Sequence, residues 1–175
     1  MRASYCYLPI LRARGGAFRA VAGLSPLARS RLTPLFDVPA PVLKQGETLE
    51  GYLEKRADGI HRCWGPQRPV YVDVYDFPLD SRTESGEQPI ERLVDLMRAR
   101  GSRPIPVTGT MLERDADYLS AVRRIVKRTA DGVCVRVERD ELTEPDLLRS
   151  SLATTLEFLA VGPASVDLIL DLRYV

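Results

Sequence analysis

Val133-Cys134-Val135-Arg136-Val137-Glu138 alternates strictly, with valine at every other position and cysteine, arginine and glutamate between. Successive side chains of a β-strand point to opposite faces, so this stretch, read as a strand, has one apolar face. Its other face turns charged toward the C-terminal end. The same parity recurs elsewhere. Val70, Val72 and Val74 oppose Tyr71 and Asp73, and Val166, Leu168, Leu170 and Leu172 oppose Asp167, Ile169, Asp171 and Arg173. Phe36 and Val38 oppose Leu35 and Asp37, while Ile105 and Val107 oppose Pro106 and Thr108.

Working outward, six β-branched or apolar runs are expected as strands: Tyr5–Leu11, Leu32–Val38, Pro69–Val74, Pro104–Thr108, Val133–Val137 and Val166–Leu172. Between them lie segments with helical spacing, at Ala17–Arg31, Glu47–Trp64, Pro89–Arg100, Asp115–Thr129 and Thr143–Val161. Gly101 is expected to stop the third, Gly162-Pro163 the last, and Thr143 to cap the last at its start. Strand starts recur about every 30 residues, the length of one βαβ unit, and no two-residue hairpin turns separate them. Parallel pairing follows. The fold class expected is α/β, as a parallel (β/α) barrel. A closed barrel needs about 200 residues or more. The 175 residues are therefore read as a single α/β domain, residues 1–175, holding six strands of an incomplete eight-stranded barrel. Its last strand would expose an apolar face and an edge, to be covered by a C-terminal half or by a protein partner.

Composition narrows the setting. Hydrophobic residues make up 45% and charged residues 28%, as in soluble globular proteins, and the net charge of +1 supplies no field toward nucleic acid or anionic membrane. Lysine occurs only at Lys44, Lys55 and Lys127, so the basic residues are overwhelmingly arginine. That excess serves carboxylate or phosphate recognition, or reflects base composition. Cys6, Cys63 and Cys134 have no paired spacing, which suits a reducing cytoplasm. No run approaches the roughly 18 apolar residues of a membrane span, so the expected location is cytoplasmic.

In a barrel the polar strand face points inward and the C-terminal mouth houses chemistry. Asp37, Asp73, Thr108, Arg136, Glu138, Asp171 and Arg173 are expected there. Asp73, Glu138 and Asp171 are the catalytic candidates for acid–base work. Arg12, Arg14, Asp37, Thr108, Arg136 and Arg173 are the candidates for holding a small anionic ligand. Such a ring is either a solvated pocket or a salt-bridged plug, because buried charges are costly unless paired. Arg12-Ala13-Arg14-Gly15-Gly16 before a helix would be an anion cradle or a plain turn. His61 is the sole histidine and, with Cys63 two residues on, offers no zinc set, so no residue is assigned as a metal ligand. Carboxylates clustered at the mouth would still suit Mg²⁺. Asp76–Gln88 is a polar loop on the ligand side of the third strand, either a surface loop or a lid. The cofactor is left open.

Tyr7-Leu8-Pro9-Ile10-Leu11-Arg12-Ala13-Arg14, with Gly16, Phe18 and Ala20, resembles the opening of the beta protein family of bacteriophages and bacteria. Pro34-Leu35-Phe36-Asp37, Trp64-Gly65 with Val72-Asp73, Val135-Arg136, and Leu168-Ile169-Leu170-Asp171-Leu172 resemble its later strands. The resemblance implies a protein of roughly twice this length, as a full barrel would need, and no established reaction. Family members often carry Lys where Arg12 stands and Glu where Ala17 stands. Two functions are expected. One is phosphate-ester hydrolysis at the strand ends. The alternative is a non-catalytic, phage-related interaction module with a structural Asp/Arg network.

Overall fold

Helix and strand alternate along the chain in a computed structural model that describes residues 7–172. Two compact units are present, Met1–Pro104 and Ile105–Val175. In the first, β1 (Ile10–Arg12), β2 (Leu35–Asp37) and β3 (Pro69–Asp73) are parallel and adjacent in chain order. The helices are α1 (Gly15–Ala22), α2 (Pro26–Ser30), α3 (Leu49–Trp64) and α4 (Pro89–Ala99). The second holds β4 (Arg103–Thr108, which starts at the boundary), β5 (Val133–Glu138) and β6 (Val166–Asp171), again parallel and in chain order, with α5 (Ala116–Thr129) and α6 (Pro145–Leu159). The fold class is α/β with all strands parallel, consistent with an incomplete (β/α) barrel.

The elements follow local chemistry, with departures where a residue forbids continuation. The expected Ala17–Arg31 helix is two helices, because Pro26 cannot continue α1 and instead sits at the first position of α2 behind its cap, Ser25. Arg29 then closes α1, donating from Nη2 to the carbonyls of Val21 (2.7 Å) and Ala22 (3.1 Å), and from Nη1 to Trp64 O (3.2 Å). Here an arginine replaces water at the unpaired C-terminal carbonyls. α4 ends as expected: Gly101 has φ +80°, and Gly101 and Ser102 donate back to Arg98 and Met97. The Thr143 cap is a correction. Residues Asp140–Thr143 form a 3₁₀ turn and α6 starts behind Glu144, so the Thr143 hydroxyl is spent on Asp140 O (2.6 Å). α6 also stops before Gly162, at Ala160 in the left-handed conformation.

Parity is visible in the packing of the first unit. Phe36 stacks tilted against Phe18 of α1, with ring centroids 5.8 Å apart, so its face of β2 lies under the helices. Phe18 also presses on α3, where a Cβ on Gly59 would come within 2.4 Å of the ring; only glycine permits that approach. The expected first strand, Tyr5–Leu11, is shorter: Tyr7 makes a lone parallel bridge to Leu32 before β1 begins at Ile10, and Tyr5 and Cys6 lie outside the described residues. Among the described residues no helix is long and apolar enough to cross a membrane.

Candidate functional site

Two clusters occupy the C-terminal strand ends, one in each unit. In the first, register aligns Arg12 with Asp37 and Asp37 with Asp73, three side chains in one row on the face opposite Phe36. Asp73 is fully buried and Asp37 nearly so. Arg12, about half exposed, lies 3.3 Å from the Asp37 carboxylate and pairs with Asp76 of the following loop through the same nitrogen. The guanidinium thus sits between a buried carboxylate and an exposed one. Arg14 is exposed and caps α1 through its backbone, without a side-chain hydrogen bond to the helix.

In the second unit, Arg136 donates from Nε (3.0 Å) and Nη2 (2.5 Å) to one carboxylate oxygen of Asp171. The two side chains are only 6% and 13% exposed, so the pair is almost wholly withdrawn from water. Glu138 stands in register with Asp171. Its backbone N–H donates to Glu141 (2.9 Å), and the other oxygen of Glu141 accepts from the Thr110 hydroxyl (2.6 Å). Glu141 therefore ties the loop after β4 to the end of β5. The Glu113 carboxyl is held above the ordinary range, first by partial burial and then by the negative Glu141 and Glu138, against the opposing Arg114. Among the described residues no group of three or more His, Cys, Asp or Glu is arranged to hold a metal ion.

Thr108 departs from the expected set. It pairs with Val135, and Val107 pairs with Cys134, so Thr108 points to the valine face rather than toward Arg136. Alternation along one strand leaves open which of its two sets matches the polar set of the next strand; register decides. Arg173 lies outside the described residues. His61 is half-buried on Ser102 Oγ (3.0 Å), and Cys63 is buried against Ile60 O, its thiol pushed up to about 11 by burial. Both act as helix residues.

The Asp76–Gln88 loop is pinned rather than loose. Its turn is closed by Thr83 N to Glu87 O (3.0 Å) and Gly86 N to Thr83 O (2.9 Å). From that turn Glu84 accepts from the N–H groups of Leu49 (2.7 Å) and Glu50 (3.0 Å), the first two residues of α3. These bonds, from the amides of Glu50, Glu84 itself and Leu49, hold its carboxyl below the usual range. With the Thr48 hydroxyl on Gly51 N (3.0 Å), the first three amides of α3 are satisfied. Asp76, Glu84, Thr110 and Glu141 were not among the sequence candidates, because contacts made across 31 to 64 residues leave no local spacing to read.

No curated protein matches the chain. Residues 7–175 match the Beta protein family, nearly the full length and including every motif quoted for the resemblance; the chain belongs to that family.

Proposed function

We propose that the chain is a non-catalytic interaction module whose strand-end charges form a structural Asp/Arg network. The observation that carries this reading is the Arg136–Asp171 pair, almost fully buried, in which two guanidinium nitrogens donate to one carboxylate oxygen. A guanidinium so engaged is spent on the fold. An exposed apolar set supplies the interaction surface: Leu168, Leu170 and Leu172, at the end of the second unit, are each more than half exposed. The phage-related setting implied by the family resemblance belongs to the same proposal.

The test is a cycle of melting temperatures. Asp171→Asn and Arg136→Met should each lower Tm steeply, because each breaks a buried ion pair and keeps only one of its two charges, while the Arg136→Met/Asp171→Leu double variant should recover most of the loss. Single variants that leave Tm unchanged or raise it would overturn the reading, since residues kept for a reaction usually cost stability.

A second reading, phosphate-ester hydrolysis, is favoured by Arg12. This residue is half exposed, and its outer partner Asp76 is a surface carboxylate that an incoming phosphate would displace. Asp73 would be its acid–base residue, with Asp37 and Arg14 the remaining contributors of the same unit. Thermal shift with phosphate esters, Mg²⁺ and Mn²⁺ tests it. Stabilisation that disappears in Arg12→Ala supports the pocket; no stabilisation by any of them removes it.

A further inference from the structure

In the first unit the segment Asp76–Gln88, between β3 and α4, is a strap with two carboxylates fixed on other elements. At its start Asp76 pairs with Nη1 of Arg12 in β1. Toward its other end Glu84 accepts from the first two amides of α3, Leu49 (2.7 Å) and Glu50 (3.0 Å). Between these anchors the strap holds its own shape. Phe77 N donates to Val74 O (3.0 Å), Ser81 N to Pro78 O (3.0 Å) and Glu87 N to the Thr83 hydroxyl (3.1 Å). Phe77 and Thr83 are buried, and each is the chain neighbour of one of the two carboxylates. Packing at these residues therefore sets the backbone from which Asp76 and Glu84 reach out.

Both receptors are groups that take anions. A guanidinium binds carboxylate and phosphate, and the first amides of a helix bind either as well. The strap thus supplies from within the protein what a ligand would supply from outside. At Arg12 the contact is open to solutes, since the Arg12 side chain is 49% exposed and that of Asp76 34%. Exposed pairs of this kind are weak, so Asp76 is a partner that a second anion can displace. Glu84 touches a different element and acts through the strap. Its two backbone hydrogen bonds hold the segment that carries Asp76.

We infer, taking from the second reading above only that Arg12 is an anion site, that the strap is an autoinhibitory contact. Asp76 competes with an external phosphate group for Arg12, and Glu84 on α3 keeps Asp76 in place. Competition of this kind is reciprocal. The factor by which a closed strap weakens the anion is the factor by which the bound anion weakens closure. Binding at Arg12 is therefore felt at the amides of Leu49 and Glu50, which lie on another element and meet Arg12 only through the strap.

The test is an NMR titration of the whole chain with inorganic phosphate, at an ionic strength held constant with chloride, read at the amides of Arg12 and Ala13. Asp76→Asn should tighten phosphate about two- to fivefold, the worth of an exposed ion pair. Glu84→Gln should tighten it by a smaller factor. Asp80→Asn, which removes another exposed carboxylate of the strap, should change it less than either. On the unaltered protein, saturating phosphate should speed hydrogen exchange at Leu49 and Glu50, and Arg12→Ala should abolish that response. No phosphate-dependent shift in the unaltered protein or in Asp76→Asn would remove the anion site and the inference with it. Affinity unchanged by Asp76→Asn and Glu84→Gln, or exchange at Leu49 and Glu50 unchanged by bound phosphate, would leave the site standing and overturn the strap. A response that persists in Arg12→Ala would put the phosphate on α3 itself and overturn it too.

Discussion

Arg136 and Arg12 occupy comparable places, each near the C-terminal end of a strand and each facing an aspartate, yet their surroundings give them different work. Arg136 and Asp171 are nearly sealed from water, while Arg12 is half exposed and shared between Asp37 and Asp76. Burial removes the screening that makes exposed pairs almost worthless and adds the cost of stranding either partner alone. On the proposed reading the inner pair is a structural commitment. The outer one is an adjustable contact.

The largest effect should come from breaking the inner pair. Asp171→Ala is expected to cost about 3–5 kcal/mol in chemical denaturation, and a loss below about 1 kcal/mol would erase the contrast with Arg12. Next comes the Glu141 tie. Removing its carboxylate in Glu141→Ala leaves the Thr110 hydroxyl and Glu138 N–H without that acceptor and should cost about 1–3 kcal/mol. The same variant should lower the Glu113 pKa toward its ordinary value, followed by NMR titration, because one of the negative neighbours that raise it is gone. Arg12→Ala should cost under about 1 kcal/mol, and the difference should shrink in high salt. A cost equal to that of Asp171→Ala would mean that the outer contact is structural too.

The smallest effect is at Glu84, an exposed carboxylate. Its folded pKa is depressed by the amides it accepts, so it contributes stability above its unfolded pKa and loses it as pH falls through the folded value. Glu84→Gln should flatten the acid limb of the Tm–pH profile and speed hydrogen exchange at Leu49 and Glu50. Unchanged exchange at those two amides would show that the loop does not depend on this clasp.

Much of the architecture was legible because periodicity is local. The valine alternation of β5, the apolar stripes of α4 and α5, and the Gly101 stop are written in adjacent residues, and each appears where it was read. The failures have local causes as well. Pro26 splits the first helical segment, and Ala160 ends α6 in a conformation usually taken by glycine. Thr108 was assigned to the polar face by parity alone, which carries no information about a neighbouring strand.

By itself the sequence determined the βα rhythm, the parallel α/β class, the apolar face of most strands, and membership of the Beta protein family, whose match spans residues 7–175. Those follow from side-chain periods of 2 and 3.6 and from turn residues, which act over a few positions. Only the tertiary structure decided which charges meet. Arg136 finds Asp171 35 residues away, Arg12 finds Asp76 64 residues away, and Glu84 reaches the start of α3 across 35. Pairings of that kind depend on register and on loop closure, which one-dimensional spacing does not encode. They also set how far each charge is withdrawn from water, and so what each is worth.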